Sequence, residues 1–222
     1  MSTFTKCYSP IRGRIIRITL LNSCGVTVTG ESSAQITTDG FTQVSQSAQY
    51  ETGDEHVTRK ANGLLCVNEK DPDFLKRLEL TFDLCSINPG IIANTVSGAR
   101  LLTYSESPTG TGFALGQATA LPPDFSLEVW QDVAGAACDA SGNPLYVYNA
   151  WPHLSNGKIG DYNIALDPST VQIIAESKGV YAGWTAGNSW LGAGAVQAIP
   201  DHWFQNLTSV APPTASCTIV TI

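Results

Sequence analysis

Charge is scarce in this chain. Asp, Glu, Lys and Arg together make up 14% of its 222 residues, against about a quarter in an ordinary soluble domain. Such a deficit points to surface that ends up covered by something else, although a β-protein rich in Ser and Thr can be weakly charged by itself. Long apolar runs are also missing. Nothing approaches the roughly 20 residues needed for a membrane-spanning helix, and Arg17 interrupts the run in IRGRIIRITLLNSCG that faintly resembles an export signal. The expectation is a product made in the cytosol.

The familiar chemical motifs are absent too. There is no Cys-x-x-Cys pair, His-x-x-x-His pair, nucleophile elbow, phosphate-cradling loop or dinucleotide fingerprint. His56, His153 and His202 are widely separated, and a core or exposed histidine is the ordinary reading of each. Ser155 and Lys158 match Ser-x-x-Lys by letter, but Asn156-Gly157 between them reads as a turn. The pair Glu128 and Asp132, beside Trp130, has the spacing of two acids on one strand face and is the best glycosidase candidate. A solvated strand face explains it equally well. The sequon at Asn206 carries no meaning in a cytosolic product. The expectation is therefore no enzyme, no cofactor and no metal.

Six cysteines, Cys7, Cys24, Cys66, Cys85, Cys138 and Cys217, are irregularly spaced. In a cytosolic chain of this length they are expected to be reduced and mostly buried, behaving as small apolar groups.

What is present is β-punctuation. Leu78, Leu80, Phe82 and Leu84 alternate with polar residues, the period of a strand with one buried face. Asp39-Gly40 and Asn62-Gly63 each lie between strand-like runs and read as hairpin turns, because these dipeptides tolerate positive φ. IIRITLL, FSLEVW, LYVYNAW and VQIIAES are further strands, TYSESPTGTGFALGQA reads as a flexible loop or arm, and APPTASCTIVTI reads as a turn before a terminal strand. One helix is signalled: Asn88 as cap, Pro89 at its first position, apolar Ile91, Ile92 and Val96, and Gly98 at its end. About ten strands and one short helix imply a single mainly β domain over 1–222, with two packed antiparallel sheets as a sandwich or barrel.

Charge is uneven as well as scarce. Lys6, Arg12, Arg14 and Arg17 precede the first acid, Glu31, so the remainder holds eight basic and nineteen acidic residues, a balance of −11. The bulk of the chain should repel nucleic acid. Residues 1–24 are expected to form a basic arm whose arginines seek carboxylates of another copy. The acid-rich region with Glu51, Asp54, Glu55, Asp71 and Asp73 is the candidate receiver.

Three segments, in order, carry a resemblance to a known family. They are YETGDEHVTRKANGLLCVNEKDPDFLKRLELTFDLCSINPGIIANTVSG (50–98), LYVYNAWPHLSNGKIGDYNIALDPSTVQIIAESKG (145–179) and NSWLGAGAVQAIP (188–200). Their order of strand, Asn-Gly hairpin, alternating strand, short helix and later long strands resembles the major tail tube proteins of long-tailed phages, especially those infecting actinobacteria. The basic start, Cys24 and the missing Gly-Pro pair in the last segment depart from it. The resemblance implies a two-sheet fold flanked by one helix. It also implies self-assembly of six copies into rings that stack as a virion tail tube, with an arm or loop reaching the next ring. Partners implied are the tape-measure, tail-terminator and distal tail proteins, with DNA passing through unbound. Glu79 and Asp83, on the polar face of the 78–84 strand, are the expected lumen residues. Another β-rich virion component, or a carbohydrate-binding sandwich, are the alternative readings.

Overall fold

A computed structural model describes residues 8–28, 35–104, 110–117, 124–135, 137–162, 169–179 and 202–215. The chain is mainly β, with antiparallel sheets and one short helix. The strands are β1 (Pro10–Leu21), β2 (Gln35–Thr38), β3 (Phe41–Glu51), β4 (Glu55–Arg59), β5 (Leu65–Lys70), β6 (Phe74–Leu84), β7 (Ala99–Tyr104), β8 (Gly110–Leu115), β9 (Asp124–Val133), β10 (Tyr146–Tyr162), β11 (Val171–Ser177) and β12 (Phe204–Thr208). Helix α1 spans Pro89–Thr95.

One large sheet runs β2-β1-β9-β10-β11-β6-β3, with β12 also pairing β10. Its apolar residues show that it folds over on itself. Ile16, Ile18, Phe125, Leu127 and Val129 of β1 and β9 share one buried cluster with Leu78, Leu80, Phe82 and Leu84 of β6 and with Ile173 and Ala175 of β11. These strands lie far apart in the sheet order, so two halves of the sheet must face each other as layers. The alternation of 78–84 is borne out: its apolar members are buried and its polar ones half-buried.

The bend is built into β10, the longest strand. Its first half pairs β9 on one side and β12 on the other, and its second half pairs β11. Between them Asn156 has φ 57° and the register slips between Ser155 and Lys158. Asn156-Gly157 is thus a bulge within a continuous strand rather than the turn expected from sequence; one residue at positive φ redirects a strand without ending it. Pro152, which cannot donate to a ladder, sits within a second register slip between Trp151 and Leu154. Helix α1 covers the bend. Asn88 Oδ1 accepts from the Gly90 amide at 2.9 Å, Ser97 N donates to Gly157 O at 2.8 Å, and Gly98 closes the segment at φ 77°. A Cβ on Gly157 would stand 1.8 Å from Thr95 O, so only glycine lets helix and strand approach this closely.

Three sequence expectations give way. Asp39-Gly40 makes no hairpin, since β2 pairs only β1 and β3 pairs only β6. It is a corner that carries the chain from one end of the sheet to the other, tied by the Cys85 and Ser86 amides donating to Gly40 O. TYSESPTGTGFALGQA holds the paired strands β7 and β8 rather than an open loop, with residues 105–109 outside the described part. Residues 10–21 are not a free arm but β1, between β2 and β9. Within APPTASCTIVTI, residues 211–215 are described and form no strand; 216–222, like 1–7 and the late segment 188–200, lie outside the described residues.

Residues 15–19 of β1, most of β9 and the first half of β10 are buried on both faces. Behind the main core, Ile15, Trp130, Tyr148 and Ala150 form a second cluster, against which Tyr146 and Ala215 pack. The acid–base partner of this layer is internal. Arg17 and Glu128 stand opposite each other in the β1–β9 register, and both are buried. Arg17 Nε and Nη2 donate to Glu128 Oε2 and Oε1 at 2.5 and 2.6 Å. Tyr148 Oη also donates to Glu128, and the Arg17 guanidinium lies 5.1 Å from the Trp130 ring centre.

Candidate assembly arm

The β6–β11 ladder stops at Glu79–Glu176. Beyond it β6 continues with β3 alone, Arg77, Leu75 and Phe74 pairing Gln49, Tyr50 and Glu51. The ribbon then leads into the β4–β5 hairpin, closed as expected at Asn62-Gly63 with Gly63 at φ 84°. Every residue of β4 and β5 is exposed. Residues 49–77 therefore project from the sandwich as a two-stranded arm with little of either face covered.

Its surface is not what solvent favours. Tyr50 (65% exposed), Leu64 (63%), Phe74 (57%), Val57, Leu65, Val67 and Leu75 are large apolar side chains left open. Thr58 and Val67 share one face of the hairpin, Val57 and Asn68 the other, so neither face is purely polar. An isolated two-stranded ribbon is marginal in water, because it lacks a buried face to offset its ordering cost. Among the described residues no further strand pairs with either outer edge of this hairpin.

The neck of the arm is where the acidic region falls. Lys76 meets Glu51 at 3.1 Å, Lys70 meets Asp73 at 2.8 Å and His56 Nε2 meets Asp71 at 3.3 Å. Gly53 N donates to Asp73 Oδ1 at 3.0 Å, and Asp71 N donates to Asp54 O at 2.9 Å. The Lys70 hydrogen bond, seconded by the Gly53 amide, lowers the Asp73 carboxyl below the usual carboxylate range. Of the predicted receivers, Asp71 and Asp73 thus fasten the base of the hairpin, Glu51 ties β3 to β6 through Lys76, Asp54 contributes its carbonyl, and Glu55 is exposed and pairs with Lys70 through the backbone register. The crossing is tight: a Cβ on Gly53 would lie 2.0 Å from Asp71 O.

The arginines expected to seek these acids have partners of their own. Arg17 is inside, bound to Glu128. Arg12 and Arg14 reach Asp132 at 2.7 and 3.3 Å, and the Arg12 hydrogen bond lowers the Asp132 carboxyl despite partial burial. The nearest counter-charge is therefore on β9 of the same chain, because antiparallel register places β1 beside it. Sequence reasoning had both acids in view, as a possible catalytic pair, and missed that the basic strand would lie alongside. Glu128 and Asp132 each hold arginine in this arrangement.

Glu79 and Asp83 lie half-buried on the sheet face opposite the core. Register aligns Ser47, Glu79 and Glu176 in one row, Ser45, Thr81, Ile174 and Lys158 in the next, and Gln43, Asp83 and Gln172 in a third. Gln172 Nε2 donates to Asp83 at 3.1 Å, and Arg77 pairs Glu176 at 3.3 Å. The face is polar and weakly charged.

Histidines stay apart. His56 is on the arm, His202 Nδ1 is 2.7 Å from Ser177 Oγ, and His153 Nε2 lies 3.1 Å from Asp124. Despite that distance, His153 Nε2 makes no hydrogen bond among the described residues. Among the described residues no cluster of His, Cys, Asp and Glu is placed to hold a metal, and no helix is long and apolar enough to cross a membrane. The four described cysteines, Cys24, Cys66, Cys85 and Cys138, are exposed. Their expected burial fails because Cys66 sits on the uncovered hairpin and Cys85 just beyond the end of β6; Cys7 and Cys217 lie outside the described residues. No known protein-family model matches the chain, and no curated protein is significantly similar to it in sequence.

Proposed function

We propose that this protein is a structural subunit that assembles with copies of itself into rings stacked as a virion tail tube, and that the arm 49–77 makes the contact between rings. The observation that carries this is the arm: a ribbon with apolar side chains open on both faces, fastened at a tight neck, with no further strand paired to its hairpin among the described residues. Unpaired strand edges support it further. Strand β3 ends the sheet, and from Phe41 to Tyr50 it has no charge and no proline to discourage pairing with another chain. A closed ring satisfies such edges, and stacking covers the arms.

On this reading the polar face bearing Glu79 and Asp83 lines the lumen. Its carboxylates Glu79, Asp83 and Glu176 outnumber the cations Arg77 and Lys158, and Arg77 is already paired with Glu176, which leaves passing DNA little to hold, since each Lys or Arg contact to phosphate adds a counterion-release gain. Arg12 and Arg14 remain candidates for subunit contacts, being exposed beside Asp132. Tape-measure, tail-terminator and distal tail proteins are the partners, and assembly takes place in a host cytoplasm. No catalytic step or cofactor is part of the proposal.

Electron microscopy and sedimentation of the purified protein over rising concentration test it. Rings or tubes are expected, and they should be lost when Leu64, Leu65 and Val67 are all changed to serine. Protein that remains monomeric at high concentration, with tail-initiating proteins added, refutes the reading.

A further inference from the structure

The arm leaves the body at one place, and two consecutive residues from a distant part of the chain grip both of its strands there. Where the β6–β11 ladder ends, the next acceptor is a side chain: Leu78 N donates to Ser177 Oγ at 2.7 Å. Ser177 Oγ in turn lies 2.7 Å from His202 Nδ1, within hydrogen-bond distance, and the ring tautomer decides which of the two donates. Its neighbour Trp203 stacks on Trp151, with ring centres 6.4 Å apart and planes at 25°. Trp151 Nε1 donates to Gln46 Oε1 at 2.8 Å. Gln46 stands opposite Leu80 in the β3–β6 pair. One prong therefore ends on β6 and the other on β3, on either side of the point where the sheet's support stops.

We infer that His202 and Trp203 form a two-pronged clamp that fixes the direction of the arm and couples it to β12. Phe204, the next residue, begins the pairing of β12 with β10 at Ala150, so the clamp is anchored to a buried strand. The prongs are cross-element contacts, without which the ribbon would be held at its root only by its own ladder, the partly exposed Arg77–Glu176 ion pair and core packing below Leu78. A strand pair pinned at its root projects in one direction, whereas an unpinned one sweeps a cone. The clamp does not depend on what the arm binds.

Hydrogen exchange on the full-length protein, kept dilute enough to stay monomeric, reads this directly. In the double variant His202→Ala/Trp203→Ala the Leu78 amide and the amides of residues 44–48 should exchange about tenfold faster or more, with β9 amides unchanged, because only a local opening is made easier. The milder Ser177→Ala should speed Leu78 alone, and Trp203→Phe should keep β3 protected. Unchanged exchange at Leu78 in Ser177→Ala overturns the inference. So does a rise in the double variant that extends equally through β9 and β10, which would mark general loosening. A failed clamp would leave tube formation by the parent protein untouched, so the two proposals fall separately.

Discussion

The sandwich and the arm are made of the same secondary structure under opposite conditions. In β9 and the first half of β10 nearly every residue is buried, whichever face it is on. In β4 and β5 every residue is exposed. The body is held by two apolar clusters with an ion pair between its strands, and its local sequence hardly needs to be a good strand former. The arm is held by its ladder, a glycine turn and a ring of exposed ion pairs at the neck. Burial supplies roughly 25 cal/mol per Å² of apolar surface removed from water, and the arm removes almost none. Valine, leucine and phenylalanine on it thus add less to folding the monomer than the same residues add in the body, and a contact made on assembly, as proposed above, would account for their presence.

The largest expected effect is in the body. Changing Glu128 to alanine leaves the Arg17 guanidinium buried without its carboxylate, and should cost about 3–5 kcal/mol in denaturant unfolding. Val67→Ser and Leu64→Ser on the arm should each stay within about 0.5 kcal/mol in the same assay, as exposed positions do. A comparable loss at both places would show that the arm is part of the monomer's core after all.

Next come the two glycines that permit close crossings, one in each region. Gly157→Ala must push helix α1 off the bend of β10, because the obstructing atom is backbone, and about 1–3 kcal/mol is the expected loss. Gly53→Ala meets backbone too, but at a neck with nothing packed on it. It should leave the unfolding midpoint nearly unchanged while altering the arm's geometry, visible as shifted amide resonances confined to residues 49–77. Equal destabilisation by the two substitutions would break the comparison. Thiol labelling sharpens it further: Cys66 on the arm should react with a small alkylating reagent in the native protein as fast as in denaturant.

Sequence pattern reveals such a structure unevenly, for physical reasons. Strand 78–84 and helix α1 were legible because their side-chain periods report one buried face and their caps are local. The Asn62-Gly63 hairpin was legible because turn chemistry is local. Asp39-Gly40 has the same local chemistry, yet whether two flanking strands pair is decided by their distant neighbours β1 and β6. Likewise Asn156-Gly157 supports a turn or a bulge equally, and only the partners β9 and β11 select the bulge. Arg17 and Glu128 lie far apart in sequence, and no spacing rule joins them. The arm's ion pairs were half-visible: the acids stood out, but Lys70 and Lys76 beside them were the nearer cations.

The smallest expected effect comes from two arginine–carboxylate groups on the same strand pair, one inside and one outside. Arg17 and Glu128 are shielded, whereas Arg12 and Arg14, which hold Asp132, are 77% and 51% exposed at their side chains. Screening by solvent keeps the outer group to under about 1 kcal/mol. Its sign follows from the lowered Asp132 pKa. Below its ordinary value near 3.8 the unfolded chain takes up the proton first, so the stabilisation is present in full at neutral pH and disappears as pH falls through the lower folded value. Asp132→Asn should therefore lower the denaturant midpoint slightly at pH 7 and not at all once the parent's own Asp132 is protonated. At about 1 M salt the pH 7 difference should shrink as well, since the screening length is then about 3 Å. The cost of Glu128→Ala should survive the same salt. If salt erased the inner effect and spared the outer one, the assignment of inside and outside on β9 would be reversed.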